Sequence, residues 1–111
     1  MSRHSIKVLY EAADLQIKKG SDYQSYGSSI KQADHYRRGI DTIHDVIAGK
    51  VIRAQSLLES NSKPNFESLE DTYMDIINYA SFAVSYLRGK MDGQNTELDI
   101  FNKPKRQKWI H

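Results

Sequence analysis

The sequence predicts an all-α protein: a bundle of three long helices with one or two short ones, expected to dimerise. Three observations carry that expectation. Apolar residues recur at helical spacing over three stretches, about 5–19, 41–59 and 68–88. Residues that start and stop helices flank those stretches. The 111 residues, 39% of them hydrophobic, suit one domain with a single modest core.

Composition excludes several classes. Sixteen basic side chains nearly balance 14 acidic ones, which argues against a general electrostatic footprint for nucleic acid. With no cysteine there is neither a disulfide framework nor a thiolate metal site. The first twenty residues are amphipathic rather than continuously apolar, unlike a signal peptide, and no window reaches the length of a membrane-spanning helix. The expectation is a soluble cytoplasmic protein with no membrane partner.

The first helix is expected from Ser5, a good N-cap, to Lys19. Ile6, Leu9, Tyr10, Ala13 and Ile17 form its main stripe, and Val8, Ala12 and Leu15 a smaller one on the far side. Lys18, Lys19 and Gly20 read as a basic last turn and a glycine stop. Residues 20–30 read as a loop rich in Gly, Ser and Tyr, and 31–38 as a short helix or ordered connection broken by Gly39. The second long helix is expected from Asp41, as N-cap, to Glu59, with Ile40 as a staple. Gly49 in its interior costs about 1 kcal/mol relative to alanine and leaves room for a backbone or ligand to approach. A connection around Pro64 leads to Ser68, the expected cap of the third long helix, with Asp71 at N3. Leu69, Tyr73, Ile76, Ala80, Ala83 and Leu87 are read as its inward stripe, with Asp71, Asp75, Asn78, Tyr79, Phe82 and Tyr86 on the other flank. A helix apolar nearly all round is central in its fold or in an oligomer, hence the expected homodimer or higher homo-oligomer. Residues 1–91 are read as the bundle domain and 92–111 as a linker and basic tail.

One residue organises the functional reading. Ile43, Ile47, Lys50, Ala54 and Leu57 share one helical face, and Lys50 sits at its centre. A lysine there must snorkel to water, lose its proton or find an anion. Asp71 and Asp75, one helix further on, are spaced to supply that anion. Lys50 and Arg53 with Asp71 and Asp75 therefore read in two ways: as an ion-pair network locking two helices, or as a site in which the acids, with Glu70, hold Mg²⁺ while Lys50 and Arg53 meet phosphate oxygens. Asp41, His44 and Asp45 read as a favourable acidic first turn or as further ligands. Tyr23, Tyr26–Gly27 and Tyr36 either stack on a base or close the end of the bundle. The tail cluster Lys103, Lys105, Arg106 and Lys108 beside Trp109 reads as a solubilising terminus or as an arm that docks nucleic acid or a host protein.

The pieces KKGSDYQSYGSSI, KVIRAQSLL and FESLEDTYMDIINYASFAV carry a resemblance. Together they resemble the nucleotide-modification-associated domain family, the first of several so named, found in phages and bacteria. Glu67, Ser68, Glu70, Asp71, Thr72, Asp75, Asn78, Tyr79 and Ala80 hold its most specific positions, Lys50 and Arg53 its middle piece, and Tyr26 and Gly27 its first. More distantly the chain is similar to MazG-like all-α nucleoside triphosphate pyrophosphohydrolases, with Asp71 and Asp75 at one acid pair and Thr72 where a second acid is common. The resemblance implies a phage-type nucleotide-binding helical protein of nucleotide or DNA-base metabolism. In its enzymatic form it would be a Mg²⁺-dependent (deoxy)nucleoside triphosphate pyrophosphohydrolase, with Asp71 and Asp75 catalytic, Asp71, Asp75 and Glu70 on the metal, Lys50 and Arg53 on phosphate, and Tyr26 or Tyr79 on the base. The alternative is a small non-enzymatic phage protein that sequesters a nucleotide or inhibits a host protein.

Overall fold

The structure is a computed structural model that describes residues 3–60 and 65–105. It is all-α, as the periodicity predicts. The elements are α1 (His4–Lys18), α2 (Gly20–Tyr23), a 3₁₀ turn (Gln32–His35), α3 (Ile40–Glu59) and α4 (Asn65–Leu87). No strand occurs among the described residues, and Leu98 and Pro104 form a single isolated bridge. The main packing is α3 against α4, with α1 laid on another side of α4.

Helix ends differ from the expected caps. Gly39, not Asp41, is the N-cap of α3, and Asp41 lies in its first turn. Gly39 adopts φ +58°, a region other residues rarely enter, and a Cβ there would run into the Ile100 carbonyl oxygen and lie 2.9 Å from the Tyr86 hydroxyl. That close approach lets the Ile40 amide donate to the Ile100 carbonyl at 2.8 Å. Ser68 is not a cap either. Helix α4 begins at Asn65, so Ser68 lies inside it, its carbonyl accepting from the Thr72 hydroxyl at 2.7 Å. Gly20 does not stop the chain's helical run but opens α2, after a local break at Lys19.

The inward face of α1 is the reverse of that expected, and that of α4 is shifted from it. On α1 the main stripe points to solvent: Ile6, Leu9, Tyr10 and Ile17 are all exposed, Ile17 by 79%. It is the smaller stripe, with Ala12 buried and Val8 and Leu15 half-buried, that faces inward. On α4 the expected inward stripe is divided: Leu69, Ile76 and Ala83 are half-buried, with Ala83 against the core, while Tyr73, Ala80 and Leu87 are exposed. Its other flank forms the core, where Asn78, Phe82 and Tyr86 are buried. Size explains the choice. Buried rings remove about 150–250 Å² each from water, so Phe82 and Tyr86 centre the core on their flank, and Ala83 packs against it from the edge of the other stripe. On α3 the sequence reading holds: Ile43 and Ala54 are buried, and Ile47, Lys50 and Leu57 are half-buried beside them.

The core gathers Ala33, Tyr36, Ile43, Phe82, Tyr86 and Met91. Met91 is the last residue of the expected bundle domain, and the described part of the expected linker, residues 92–105, folds back onto the bundle. Gln94 Nε2 donates to the Tyr86 carbonyl at 2.8 Å, and Asn102 Nδ2 donates to the Arg37 carbonyl at 3.1 Å. Residues 91–105 thus close the end of the helix pair. Lys103 and Lys105 are exposed there, while Arg106, Lys108 and Trp109 of the expected basic arm lie outside the described residues. None of the helices among the described residues is long and apolar enough to cross a membrane.

Two glycines give opposite expectations. A Cβ at Gly49 meets nothing within 4 Å, so the expected close approach at this position does not occur within the chain. Gly49→Ala should raise the melting temperature by several degrees, corresponding to about 1 kcal/mol of helix propensity. Gly39→Ala should lower it, because the methyl group collides and the φ value is unfavourable. Thermal melts followed by circular dichroism at 222 nm check both.

Candidate functional site

Asp75 lies on the inner flank of α4, where both neighbouring helical segments bring a lysine to it. Lys50 Nζ, from α3, donates to Asp75 Oδ2 at 3.2 Å. Lys19 Nζ, from the end of α1, lies 3.5 Å from Asp75 Oδ1. The lysine placed on the apolar face of α3 thus meets its requirement in two ways, by an anion and by partial access to water: its side chain is 31% exposed, and that of Asp75 is 22% exposed. At this exposure each pair contributes on the order of 1 kcal/mol. Two ammonium groups around one carboxylate leave the cluster with a surplus positive charge.

Lys19 is the member that sequence reasoning missed. It was read as part of a basic last turn suited to the helix dipole. The signal was nonetheless present, since Lys19 falls on the same helical face as Val8, Ala12 and Leu15, the stripe that faces α4.

Other expected members lie elsewhere. Arg53 is exposed and makes no ion pair with Asp71 or Asp75. Asp71 is exposed and lines a separate cleft of about 620 Å³ between α1 and α4, together with Glu11, Asp14 and Glu70. Among the described residues no three His, Asp or Glu side chains gather as a metal-binding group. Both oxygens of Asp75 are taken by lysines. As arranged here, Asp71, Asp75 and Glu70 do not fit a closed Mg²⁺ ligand set. Asp41 and His44 are exposed, and Asp45 pairs with Arg38 on the surface.

The tyrosines divide between core and surface. Tyr79 is half-buried and packs edge-to-face with Tyr23 and Phe82, at centroid distances of 6.2 and 5.4 Å, while Tyr23 and Phe82 meet at 4.9 Å. Tyr79 therefore serves packing and does not present a free ring face in this arrangement. Tyr26 does, because it is fully exposed. It borders a second cleft of about 620 Å³ with Ser21, Gln24, Ser25, Gly27 and Lys31. Gln24 fixes this loop. Its Oε1 accepts from the Gln32 amide at 2.7 Å, and its Nε2 donates to Asp92 Oδ2 at 2.7 Å. The loop begins directly after Lys19, so the charged cluster and the cleft are joined through α2.

Asn78 lies one turn beyond Asp75 and is 2% exposed. Its Oδ1 accepts from Gln16 Nε2 at 3.2 Å, and its Nδ2 has no partner among the described residues. Burying an amide donor without a partner costs about 1–3 kcal/mol.

Burial raises the pKa of Tyr23, Tyr36, Tyr79 and Tyr86 above the ordinary phenol value, and the Asp75 charge raises those of Tyr23 and Tyr79 further.

The all-α body carries a half-buried, surplus-cationic cluster and, a few residues after Lys19 in the chain, an aromatic-bordered polar cleft. Residues 19–87 match the family model described as Nucleotide modification associated domain 1. The match covers more than half of the chain, and the protein belongs to this family. No curated protein and no solved structure matches the chain at the significance required. Lys19, the Tyr26 loop, Lys50 and Asp75 all fall within the matched residues, whereas Glu11 and Asp14 of the α1–α4 cleft precede them. The family's name associates it with nucleotide modification.

The raised tyrosines give a pH dependence. Each is neutral when protonated and binds its proton more tightly folded than unfolded. Their contribution to stability is full below about pH 10 and is lost as pH rises through the folded values. Melting temperature should hold up to about pH 10 and fall above it, with the tyrosinate absorbance of Tyr23, Tyr36, Tyr79 and Tyr86 appearing together with unfolding.

Proposed function

We propose that the protein binds a (deoxy)nucleotide, with Lys19 and Lys50 receiving phosphate oxygens and Tyr26 stacking on the base. The observation that carries this reading is Asp75 held between two lysines in a half-buried position, which leaves one positive charge uncompensated. Asp75 acts as the positioning residue that holds the two ammonium groups apart and aimed together. The serine-lined cleft that follows Lys19 in the chain offers hydroxyl and backbone groups to a sugar or base, and an exposed ring at its rim offers a stacking face. Family membership supports a nucleotide over other anions.

On this reading no metal is required for binding. The finer reading, a Mg²⁺-dependent pyrophosphohydrolase of phage type, needs Asp75 to release its lysines and join Asp71 and Glu70 on the metal. Sequestration of a nucleotide without turnover follows more directly from the arrangement as it stands, because both Asp75 oxygens are engaged.

A thermal-shift panel of (deoxy)nucleotides, run with Mg²⁺ and with EDTA, tests the proposal. The expected result is a nucleotide-specific rise in melting temperature that persists in EDTA. Lys50→Ala should weaken binding by roughly 10–100-fold, the value of one charge-assisted hydrogen bond. Tyr26→Ala should weaken it by about tenfold without changing the melting temperature of the free protein. No shift with any nucleotide overturns the proposal. Hydrolysis that EDTA abolishes and Asp71→Asn removes would favour the metal enzyme.

A further inference from the structure

The outward face of α1 is apolar along its whole length. Ile6, Tyr10, Ala13 and Ile17 recur at steps of four, three and four, the spacing of a seam between paired helices, and Leu9 lies beside them. No charge interrupts the seam. All five residues are exposed, Tyr10 by 70% and Ile17 by 79%. Helix α1 meets α4 with its opposite face, through buried Ala12 and half-buried Val8 and Leu15. A contiguous exposed apolar patch of this kind marks an interaction surface.

We propose that this face is the two-fold interface of a homodimer in which α1 packs antiparallel against α1 of a second copy. Two features of the face select that occupant and that direction. The first is shape. About an axis midway between Tyr10 and Ala13, antiparallel pairing sets Tyr10 of each copy opposite Ala13 of the other, large against small, with Ile6 opposite Ile17 at both ends. Parallel pairing would stack Tyr10 on Tyr10 and leave Ala13 facing Ala13, which packs poorly. The second is charge. Lys7 and Asp14 lie on the same flank of the seam, both are exposed, and neither has an ion-pair partner among the described residues. In an antiparallel pair like flanks adjoin, so Lys7 of each copy meets Asp14 of the other, and the helix dipoles oppose favourably. In a parallel pair that flank would adjoin the other one, which carries Leu9 and Gln16 and offers neither charge a partner. The face is therefore self-complementary under a two-fold axis, as an isologous interface requires. A 15-residue helix is about 22 Å long, so the contact is smaller than the standard of about 800 Å² per partner and the dimer dissociates on dilution.

The interface is independent of the nucleotide reading. Lys19 shares the opposite face of α1 with Val8, Ala12 and Leu15, and Lys50 and Asp75 belong to α3 and α4. The dimer also accounts for the two apolar stripes of α1: the smaller packs on α4 and the larger on the second copy.

Sedimentation equilibrium on the full chain, over a roughly 100-fold range of concentration up to about 0.5 mM, tests the proposal. The mass should rise with concentration from that of one 12.8 kDa chain toward twice that value. Ala13→Glu, at an exposed helical position, should stay monomeric throughout with unchanged helical content by circular dichroism. Lys7→Asp should weaken the dimer several-fold, and adding Asp14→Lys should restore it. Because the chain has no cysteine, cross-linking reads the direction. The double variant Ile6→Cys with Ile17→Cys should oxidise to a covalent dimer. Ile6→Cys alone should not, since antiparallel pairing sets its two copies about 16 Å apart along the axis, beyond disulfide reach. A wild type that is still monomeric at the top of the range overturns the proposal, as does a dimer that survives Ala13→Glu. Efficient cross-linking of Ile6→Cys alone overturns the antiparallel direction.

Discussion

A carboxylate set on the inner flank of a helix must be paired, and the pairing of Asp75 is what joins the three long helices at one point. Lys50 reaches it from α3 and Lys19 from the end of α1. Each contact is modest in energy because all three side chains retain some access to water. Its importance lies in geometry. The position of Lys19 fixes where α1 ends and α2 begins, and so where the Tyr26 loop starts. The position of Lys50 fixes the register of α3 on α4. The surplus charge that results gives the fold a reason to attract an anion at this junction.

The aromatic cluster of Tyr23, Tyr79 and Phe82 supports that junction from one side. Tyr23 anchors the first turn after Lys19 onto α4, and Gln24 ties the following loop to Gln32 and Asp92. The segment after α4 completes the end of the core through Met91 and through the Ile100 carbonyl that receives the Ile40 amide. Charged cluster, loop and end segment are therefore tied into one junction.

Much of this was legible in the sequence, and the errors share a cause. Helical periodicity located the three long helices to within a few residues, and the face of α3 was read correctly because only one apolar stripe competes there. On α1 and α4 two stripes compete, and periodicity alone does not say which one a partner covers. The more continuous stripe was taken as inward in both cases. In α4 the flank with the largest rings is the one buried within the chain. The pairing of Lys50 with Asp75 followed from a physical requirement, that a lysine on an apolar face must find an anion, and this is why it was foreseen. Lys19 was overlooked because its place beside Lys18 and Gly20 offered an adequate local explanation. Arg53 and Asp71 were placed in the cluster because one-turn spacing sets them near the faces of Lys50 and Asp75, but both are exposed and neither joins the ion pairs.

The central claim is that Asp75 positions two lysines for phosphate rather than holding a metal. Nucleotide affinity of Asp75→Asn measured in EDTA, by calorimetry on the intact chain, tests this most directly. The amide accepts from one lysine and turns a donor toward the other, so the variant should bind more weakly with the helical fold retained, while the wild type binds equally well with Mg²⁺ and in EDTA. Undiminished binding by Asp75→Asn, or wild-type binding that EDTA abolishes, would contradict the account.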